Sequence, residues 1–230
     1  MQVLDRPSPN FDARKRVIDM IVLHYTGMKS GAEALHRLCD SDAKVSAHYL
    51  VEEDGRLFRL VQEEDRAWHA GRGSWRGDDQ INGRSIGVEI VNPGHEWGYR
   101  PFPEEQINAV LELVHDIAKR HSIAPSLVLG HSDVAPRRKE DPGELFPWDR
   151  LAAAGLALGT YQGEGDPSVF YEAALNALSE IGYDAPSGDH AAGLLAFQRR
   201  FVPASLGKGF DALTKAALID VAKKVRAHTR

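Results

Sequence analysis

Side chains that bind metals and transfer protons are concentrated in one thirteen-residue segment, residues 131–143. The segment contains His131, Lys139 and Asp141, while its two prolines and its final glycine disfavour a regular helix or strand. A further histidine, His24, ends a strongly apolar run far upstream. Catalytic zinc sites commonly use three protein ligands and leave a fourth position open, so His24, His131 and Asp141 are candidate zinc ligands.

Two residues are candidates for the proton transfer and the charge stabilisation that such a site needs. A bound metal makes water more acidic, a carboxylate can then accept its proton, and a cation can stabilise the oxyanion formed on an attacked carbonyl. Glu89 and Lys139 suit these two roles. A carboxylate within an apolar strand is costly to bury without a partner, which favours a functional role for Glu89.

Each of these residues also fits a structural role when it is taken alone. His24 could be a satisfied histidine of the core, and Asp141 before Pro142 could start a turn. Lys139 follows two arginines and could belong to ordinary solvated surface. The spacing by itself therefore leaves a metal hydrolase and a structural interpretation both open.

Strands and helices alternate along residues 1–158, which is typical of an α/β domain with a central mixed β-sheet flanked by helices. Apolar runs predict strands at residues 20–25, 85–91 and 127–130, and a hairpin at residues 47–61 that turns at Asp54 and Gly55. Helical periodicity predicts helices at residues 31–39, 103–120 and 148–154.

The amino-acid composition changes after the α/β region. Residues 159–167 are rich in glycine and end in proline, so we interpret them as a linker. Helical patterns near residues 168–181, 189–201 and 211–226 then predict a small all-α three-helix domain over residues 168–230.

Composition restricts the partners and the compartment. The 33 acidic residues against 28 basic ones give a formal net charge of −5, which argues against general nucleic-acid binding. A single cysteine, Cys39, excludes an intrachain disulfide. The first residues lack the basic and apolar regions of a secretory signal, and the strongest early apolar run is too short to span a bilayer. We therefore expect no membrane insertion and a cytoplasmic location.

Five motifs, all in the right order, resemble the zinc-dependent N-acetylmuramoyl-L-alanine amidases of the AmpD type. The motifs are residues 21–26 (IVLHYT), 45–51 (VSAHYLV), 66–71 (RAWHAG), 82–89 (NGRSIGVE) and 131–143 (HSDVAPRRKEDPG). The resemblance extends from about residue 8 to residue 150. The last motif alone would be unspecific, whereas five ordered motifs are specific.

The resemblance implies that His24, His131 and Asp141 are the zinc ligands. It also implies that Glu89 activates the attacking water and that Lys139 stabilises the transition state. The implied reaction is hydrolysis of the amide between the lactyl group of N-acetylmuramic acid, or its 1,6-anhydro form, and L-alanine of the stem peptide. The implied partners are peptidoglycan fragments or muropeptides.

Weaker assignments follow from the same resemblance. Trp68, His69 and Lys44 fall where the family lines its substrate groove or supports its site, and Lys44 suits a stem-peptide carboxylate. Trp68 equally suits the packing of a loop. We interpret His48 as structural rather than as a zinc ligand. The peptidoglycan-recognition branch generally has tyrosine at the position of Ala47 and cysteine as its third ligand, so this chain resembles the bacterial amidases instead.

The C-terminal helices resemble a three-helix peptidoglycan-binding module at residues 174–183, 195–201 and 213–218. The match is looser, because the glycine–aspartate loop pattern between the helices is incomplete; a helical appendage that packs on the catalytic domain or mediates dimerisation is the alternative. We expect an amidase, and the alternative function is a non-catalytic peptidoglycan sensor. A wall-binding module would favour a periplasmic or envelope location over the cytoplasm.

Overall fold

A six-stranded mixed sheet forms the centre of the fold in the computed structural model, which describes residues 2–183 and 190–228. The strands are β1 (Val3–Asp5), β2 (Phe11–Ala13), β3 (Met20–Tyr25), β4 (Tyr49–Val51), β5 (Leu57–Arg59), β6 (Asp65–Ala67), β7 (Ser85–Ile90) and β8 (Val128–Gly130). The central sheet has the order β1-β5-β4-β7-β3-β8, and β2 pairs with β6 separately. Strands β4, β7, β3 and β8 are parallel, whereas β5 is antiparallel to β4. The parallel strands therefore share one carboxyl edge.

Helices surround this sheet and complete the chain. They are α1 (Gly31–Cys39), α2 (Ile81–Arg84), α3 (Gly94–Trp97), α4 (Glu104–His121), α5 (His131–Val134), α6 (Trp148–Ala153), α7 (Tyr171–Ile181), α8 (Ala191–Phe201) and α9 (Ala212–Ala227). The Ser30 hydroxyl and the Asp211 carboxylate accept hydrogen bonds from backbone N–H groups in the first turns of α1 and α9, so both helices have side-chain N-caps. Within the described ranges, no helix is long and apolar enough to cross a membrane.

The two faces of the sheet are covered by different helices. Alternation along β3 and β7 directs Ile21, Leu23, Ile86 and Val88 into one buried cluster with the apolar stripe of α4. On the opposite face, α1 covers the side of β4 and β5. The C-terminal helices cover the side of β3 and β8. His24 is on this second face, so the site lies between α1 and the C-terminal helices.

The C-terminal helices share a core with the sheet. Met20 and Val22 of β3 belong to the same buried cluster as Phe197 and Phe201 of α8. The connecting residues 159–167 are also held in place. The N–H of Tyr161 donates to the carbonyl of Phe201 at 2.8 Å, and residue 166 bonds to α9 through its own N–H. The helical unit therefore packs against the sheet in a shared core, while the division of the chain at residues 159–167 stays a prediction.

Most of the predicted elements are present, and one expectation was wrong. Residues 131–143 do not lack regular structure, because they begin with the single-turn helix α5. One turn fits there because it ends before Pro136 and because the Asp133 carboxylate accepts a hydrogen bond from the Gly130 N–H. The short elements β1, β2, β6, α2 and α3 were missed, since three or four residues carry no readable period. Residue 189, the predicted start of a helix, lies outside the described residues.

Candidate active site

Three buried side chains converge beside the carboxyl ends of β3 and β8. His24 Nδ1 lies 2.9 Å from His131 Nδ1 and 3.1 Å from Asp141 Oδ2. His131 Nδ1 lies 3.0 Å from the same carboxylate oxygen. Tetrahedral zinc with bonds of about 2.0 Å separates its ligand atoms by roughly 3.3 Å, so the triangle has nearly the size of one face of a zinc site. The three residues form a group that could hold a metal ion.

A chain of hydrogen bonds assigns the tautomer of His24. The Ser85 hydroxyl donates to the carbonyl of Ile81 at 2.6 Å, so it can accept from His69 Nε2 at 3.1 Å. His69 Nδ1 is then an acceptor, and His24 Nε2 donates to it at 3.0 Å. His24 Nδ1 consequently carries a lone pair directed at the other two candidate ligands. Such outer partners orient a metal-binding histidine and raise its basicity.

A glycine makes room for the ring of His69. A Cβ at Gly87 would lie 2.3 Å from His69 Cγ, which is far inside van der Waals contact. Gly87 belongs to β7, the strand next to that of His24, so the imidazole of His69 lies against the sheet at this point. Only a residue without a side chain allows His69 to reach His24.

The tautomer of His131 is assigned in the same way. His131 Nε2 lies 2.9 Å from the carbonyl oxygen of Ala70, which can only accept, so Nε2 carries a proton and the lone pair of the singly protonated ring is on Nδ1. Arg138 Nη2 donates to the same carbonyl at 3.0 Å and also to the carbonyl of Arg72. Arg138 thus fixes the loop on which the orientation of His131 depends.

Burial keeps His24 in the protonation state that binds metal. Burial and then the proximity of His131 lower the pKa of His24 to about 4. Burial and then His24 lower the pKa of His69 well below its ordinary value. A neutral imidazole at His24 suits a divalent cation.

Glu89 lies directly beside the candidate ligands, because it is the register partner of His24 in the adjacent parallel strand. Its Oε2 is buried, and no hydrogen-bond partner for it is found in residues 2–183 and 190–228. Burial and the charge of Asp141 raise the pKa of Glu89 well above its ordinary value, while Lys139 lowers it. A carboxyl with a raised pKa can both take and return a proton near neutral pH.

These residues open into one cleft of about 380 Å³. Lys139 is half-buried in its wall and acts electrostatically on both His24 and Glu89. Half-buried Trp68 lines the same cleft, and its Nε1–H donates to the Asp12 carboxylate at 3.1 Å. His69 lines the cleft as well, although its ring nitrogens are both engaged in supporting His24.

Lys44 and His48 lie away from the triangle. Lys44 is exposed in a left-handed backbone conformation, and the residues that line the cleft are Val45 and Ser46, which follow it. His48 Nδ1 accepts a hydrogen bond from the N–H of Gly87 at 2.9 Å. Burial and then Arg14 lower the pKa of His48 to about 3, so the ring is neutral. The geometry is that of a structural histidine.

Sequence reasoning missed Arg37, an exposed residue of α1 that lines the cleft. No ion-pair partner for its guanidinium is found in the described part of the chain. Arg37 follows Ala34 by three residues and precedes Leu38, and both of these apolar residues are buried. The signal that could have identified it is a cation at the edge of the apolar stripe of α1.

Comparisons with known proteins agree with this geometry. The sequence model of the Amidase_2 family, described as N-acetylmuramoyl-L-alanine amidase, matches residues 14–144. The amidase AmiD from Escherichia coli K12 is 32% identical over an alignment that covers 93% of this chain and 88% of AmiD.

Two solved structures are similar over most of their length. AmiD in complex with the substrate anhydro-N-acetylmuramic acid-L-Ala-D-gamma-Glu-L-Lys has a TM-score of 0.80 at 32% identity, with 93% of this chain and 92% of AmiD covered. AMPDH3 from Pseudomonas aeruginosa, in complex with anhydromuramic pentapeptide, has a TM-score of 0.79 at 31% identity, with 95% of each chain covered. This chain belongs to the N-acetylmuramoyl-L-alanine amidase family.

Proposed function

We propose that this chain hydrolyses the amide bond between the lactyl group of N-acetylmuramic acid, or its 1,6-anhydro form, and L-alanine of the stem peptide. The observation that carries the proposal is the triangle of His24, His131 and Asp141 with the unpartnered Oε2 of Glu89 beside it. Family membership supports the bond that is cleaved, and the muropeptides bound by AmiD and AMPDH3 support the class of substrate.

His24, His131 and Asp141 would hold one zinc ion. Their donor set fits zinc because it combines two imidazoles with one carboxylate at the wall of the cleft. When bound, zinc supplies Lewis-acid chemistry, which polarises the scissile carbonyl and lowers the pKa of water to about 7. The tautomers set by His69 and Ala70 mean that neither imidazole has to lose a proton from Nδ1 before the metal binds.

Glu89 is proposed as the group that moves the proton. Its Oε2 accepts a proton from the attacking water as the water oxygen bonds to the lactyl carbonyl carbon. The protonated carboxyl then donates that proton to the alanine nitrogen as the carbon–nitrogen bond breaks. Burial and the charge of Asp141 raise the pKa of Glu89, which is why one carboxyl can serve in both directions.

Lys139 is proposed to stabilise the negative charge that develops on the carbonyl oxygen. It is half-buried in the cleft wall, where a cation acts through a lower dielectric than at an open surface. Its influence on His24 and on Glu89 places its charge near both sides of the reacting centre.

Recognition of the stem peptide is proposed to involve Arg37 and Trp68. A γ-linked glutamate, as in the peptide bound by AmiD, keeps a free α-carboxylate. Arg37 lines the cleft without an ion-pair partner among the described residues, and guanidinium groups bind carboxylates through two parallel hydrogen bonds. Trp68 offers an apolar surface at the same cleft. Lys44 remains a candidate from the sequence, although it does not line the cleft.

Removal and return of the metal tests the proposal. We expect zinc-loaded protein to release free stem peptide from an anhydro-muramoyl peptide, to lose this activity with a chelator, and to regain it with zinc. Protein that binds the muropeptide but releases no peptide in the zinc-loaded state would instead be a sensor, and the proposed function would be wrong. Chromatography of the products separates these outcomes.

A further inference from the structure

The carboxylate of Asp133 connects the C-terminal helices to the segment that carries the candidate ligands. Asp133 follows His131 by two residues and is almost fully buried. Its Oδ1 accepts a hydrogen bond from the hydroxyl of Tyr183 at 2.6 Å. Its Oδ2 accepts from Arg200 Nη1 at 2.5 Å and from the N–H of Gly130 at 2.7 Å. All of these donors converge on one side chain.

Two of the three donors come from the C-terminal unit. Tyr183 follows α7, and Arg200 lies in α8, so neither belongs to the region that carries the candidate catalytic residues. Arg200 is 3% exposed, and its Nη2 donates to the carbonyl of Val128 in β8 at 2.9 Å. Its guanidinium also lies 4.0 Å from the ring centroid of Trp148. Arg200 therefore contacts β8, which precedes His131, as well as Asp133 and the ring of Trp148, which follow it.

The consequence for the candidate ligands is direct. Gly130 and Asp133 bracket His131, and the hydrogen bond between them closes the first turn of α5. The N–H of Ser132 donates to the carbonyl of Asp141 at 2.9 Å, so the residue that follows His131 is joined to the backbone of Asp141. Any displacement of Asp133 would therefore move His131 and Asp141 relative to His24.

Burial makes this connection sensitive to the loss of either partner. Both oxygens of Asp133 are hydrogen-bonded, which restricts its geometry, and removal of one charge of a buried ion pair leaves the other without solvent or partner. An ordinary surface contact between two domains would not impose that constraint. The Asp133 network thus fixes the position of this carboxylate relative to the helical unit, which an incidental contact would not do.

We propose that the C-terminal helical unit is a structural part of the metal centre, in which Arg200 and Tyr183 are positioning residues that set the geometry of His131 and Asp141 through Asp133. This inference rests on the proposed function only in taking His24, His131 and Asp141 as the zinc ligands. It gives the helical unit a role that does not depend on binding to peptidoglycan.

Three variants of the full-length protein test the proposal. Tyr183→Phe removes one hydrogen bond without leaving a large cavity, and Arg200→Met removes the charge. Arg200→Lys keeps the charge but loses the planar guanidinium that bonds both Asp133 and the carbonyl of Val128. Arg226→Met is the matched control, because Arg226 forms an exposed ion pair with Glu180 inside the same helical unit. Two readouts use no substrate: zinc affinity by competition with a chelator, and the visible absorption spectrum of the cobalt-substituted protein.

We expect zinc affinity to fall by roughly 10- to 100-fold in Arg200→Met and by less in Tyr183→Phe, with a changed cobalt spectrum in both. Arg200→Lys should recover part of the affinity, and Arg226→Met should match the parent protein. Circular dichroism and thermal unfolding of the metal-free proteins identify a variant that does not fold. Should Arg200→Met not fold, Tyr183→Phe and Arg200→Lys still carry the test.

Folded Tyr183→Phe and Arg200 variants with the parent zinc affinity and the parent cobalt spectrum would overturn the inference. A lower melting temperature with unchanged metal readouts would do so too, because it would show a merely stabilising contact. The two proposals fail separately. A parent protein that binds zinc but cleaves no muropeptide contradicts the proposed function alone, while active protein with unaffected variants contradicts this inference alone.

Discussion

Glu89 differs from the other acidic side chains of the cleft in having a buried carboxylate oxygen without a hydrogen-bond partner in the described part of the chain. Glu140 is exposed at the rim and forms an ion pair with Arg199 at 2.9 Å. Asp141 is shared by His24 and His131. Glu89 is therefore the carboxylate in the cleft wall whose geometry and raised pKa both suit proton transfer.

We expect Glu89→Gln to lower turnover by a factor on the order of 10²–10⁴, because the amide has nearly the same shape but cannot accept the proton. Zinc content, measured by atomic absorption, should stay at the parent level. Glu96→Gln is the control, since Glu96 also lines the cleft but is exposed. Parent-level turnover in Glu89→Gln would remove Glu89 from its assigned role.

Arg37 and Lys44 are alternative candidates for binding a carboxylate of the stem peptide. We expect Arg37→Ala to raise KM by about tenfold, equivalent to about 1.4 kcal/mol, with little change in kcat. Lys44→Ala should leave both constants unchanged, because Lys44 does not line the cleft. Steady-state kinetics on a muramoyl tripeptide gives both values, and the opposite pattern would restore the assignment made from the sequence.

The identities of the candidate ligands were predictable from the sequence, but their arrangement was not. The motif at residues 131–143 and the histidine at a strand end made His24, His131 and Asp141 candidates, and the family resemblance implied that they are the ligands. The use of Nδ1 on both rings was not predictable, because it depends on Ser85, Ala70 and other groups that the fold brings close. The roles of the site residues stay proposals until variants are measured.

The parallel strands position the site because their carboxyl ends meet at one edge of the sheet. Register between β3 and β7 places His24 beside Glu89, and β8 delivers His131 on the other side. Helix α1 forms the far wall of the cleft with Arg37 and Leu38. Each element therefore contributes to the site through its end or through one face.

The contact between β7 and the loop that carries His69 is a close one. We expect Gly87→Ala to force the His69 ring away from His24, lowering zinc affinity and costing roughly 1–3 kcal/mol in the free energy of unfolding. Gly83→Ala is the control, because its Cβ would meet only ordinary contacts at 3.7 Å or more. Chemical denaturation and zinc competition measure the two effects, and equal behaviour of the two variants would contradict this account of Gly87.

A second network joins α4 to the strands and makes stability depend on pH. Glu63 accepts hydrogen bonds from Arg120, His121 and Tyr49. Burial opposes its ionisation, but these partners lower the pKa of Glu63 to about 2. Because the folded-state pKa is below the ordinary value, the stabilisation is complete above about pH 4.5 and is lost as the pH falls toward 2.

We therefore expect Glu63→Gln to lower the free energy of unfolding by roughly 1–3 kcal/mol at pH 7 and to have little effect near pH 2. Denaturation at a series of pH values measures the difference between the two proteins. Glu64→Gln, at the exposed neighbouring position, is the control. A difference that is constant across this range would exclude Glu63 as the cause.

The long elements were predictable because their periods are clear over many residues. Helix α4 and strands β3 and β7 have nearly the bounds expected from their apolar patterns. Pairing between distant segments, such as β2 with β6, was not predictable, since strands of three residues have no pattern to read. The single turn α5 was missed for the same reason, although it carries His131.

At the scale of the whole molecule, the shared core agrees with the alternative in which the helical unit packs on the α/β region. The pattern of residues 159–167 suggested a linker between separable domains, yet Phe197 and Phe201 pack in one cluster with Met20 and Val22 of the sheet. Binding of peptidoglycan by the helical unit and a cytoplasmic location both stay predictions. The packing shows instead that this unit completes one face of the sheet.

The central claim is that water attacks the lactyl carbonyl at the site formed by His24, His131, Asp141 and Glu89. The most direct test is mass spectrometry of the products formed from an anhydro-muramoyl tripeptide in ¹⁸O-labelled water. We expect one ¹⁸O atom in the carboxylate of the muramic product and a free, unlabelled tripeptide that begins with L-alanine. Zinc-loaded protein that leaves the bond between the lactyl group and L-alanine intact would contradict the claim.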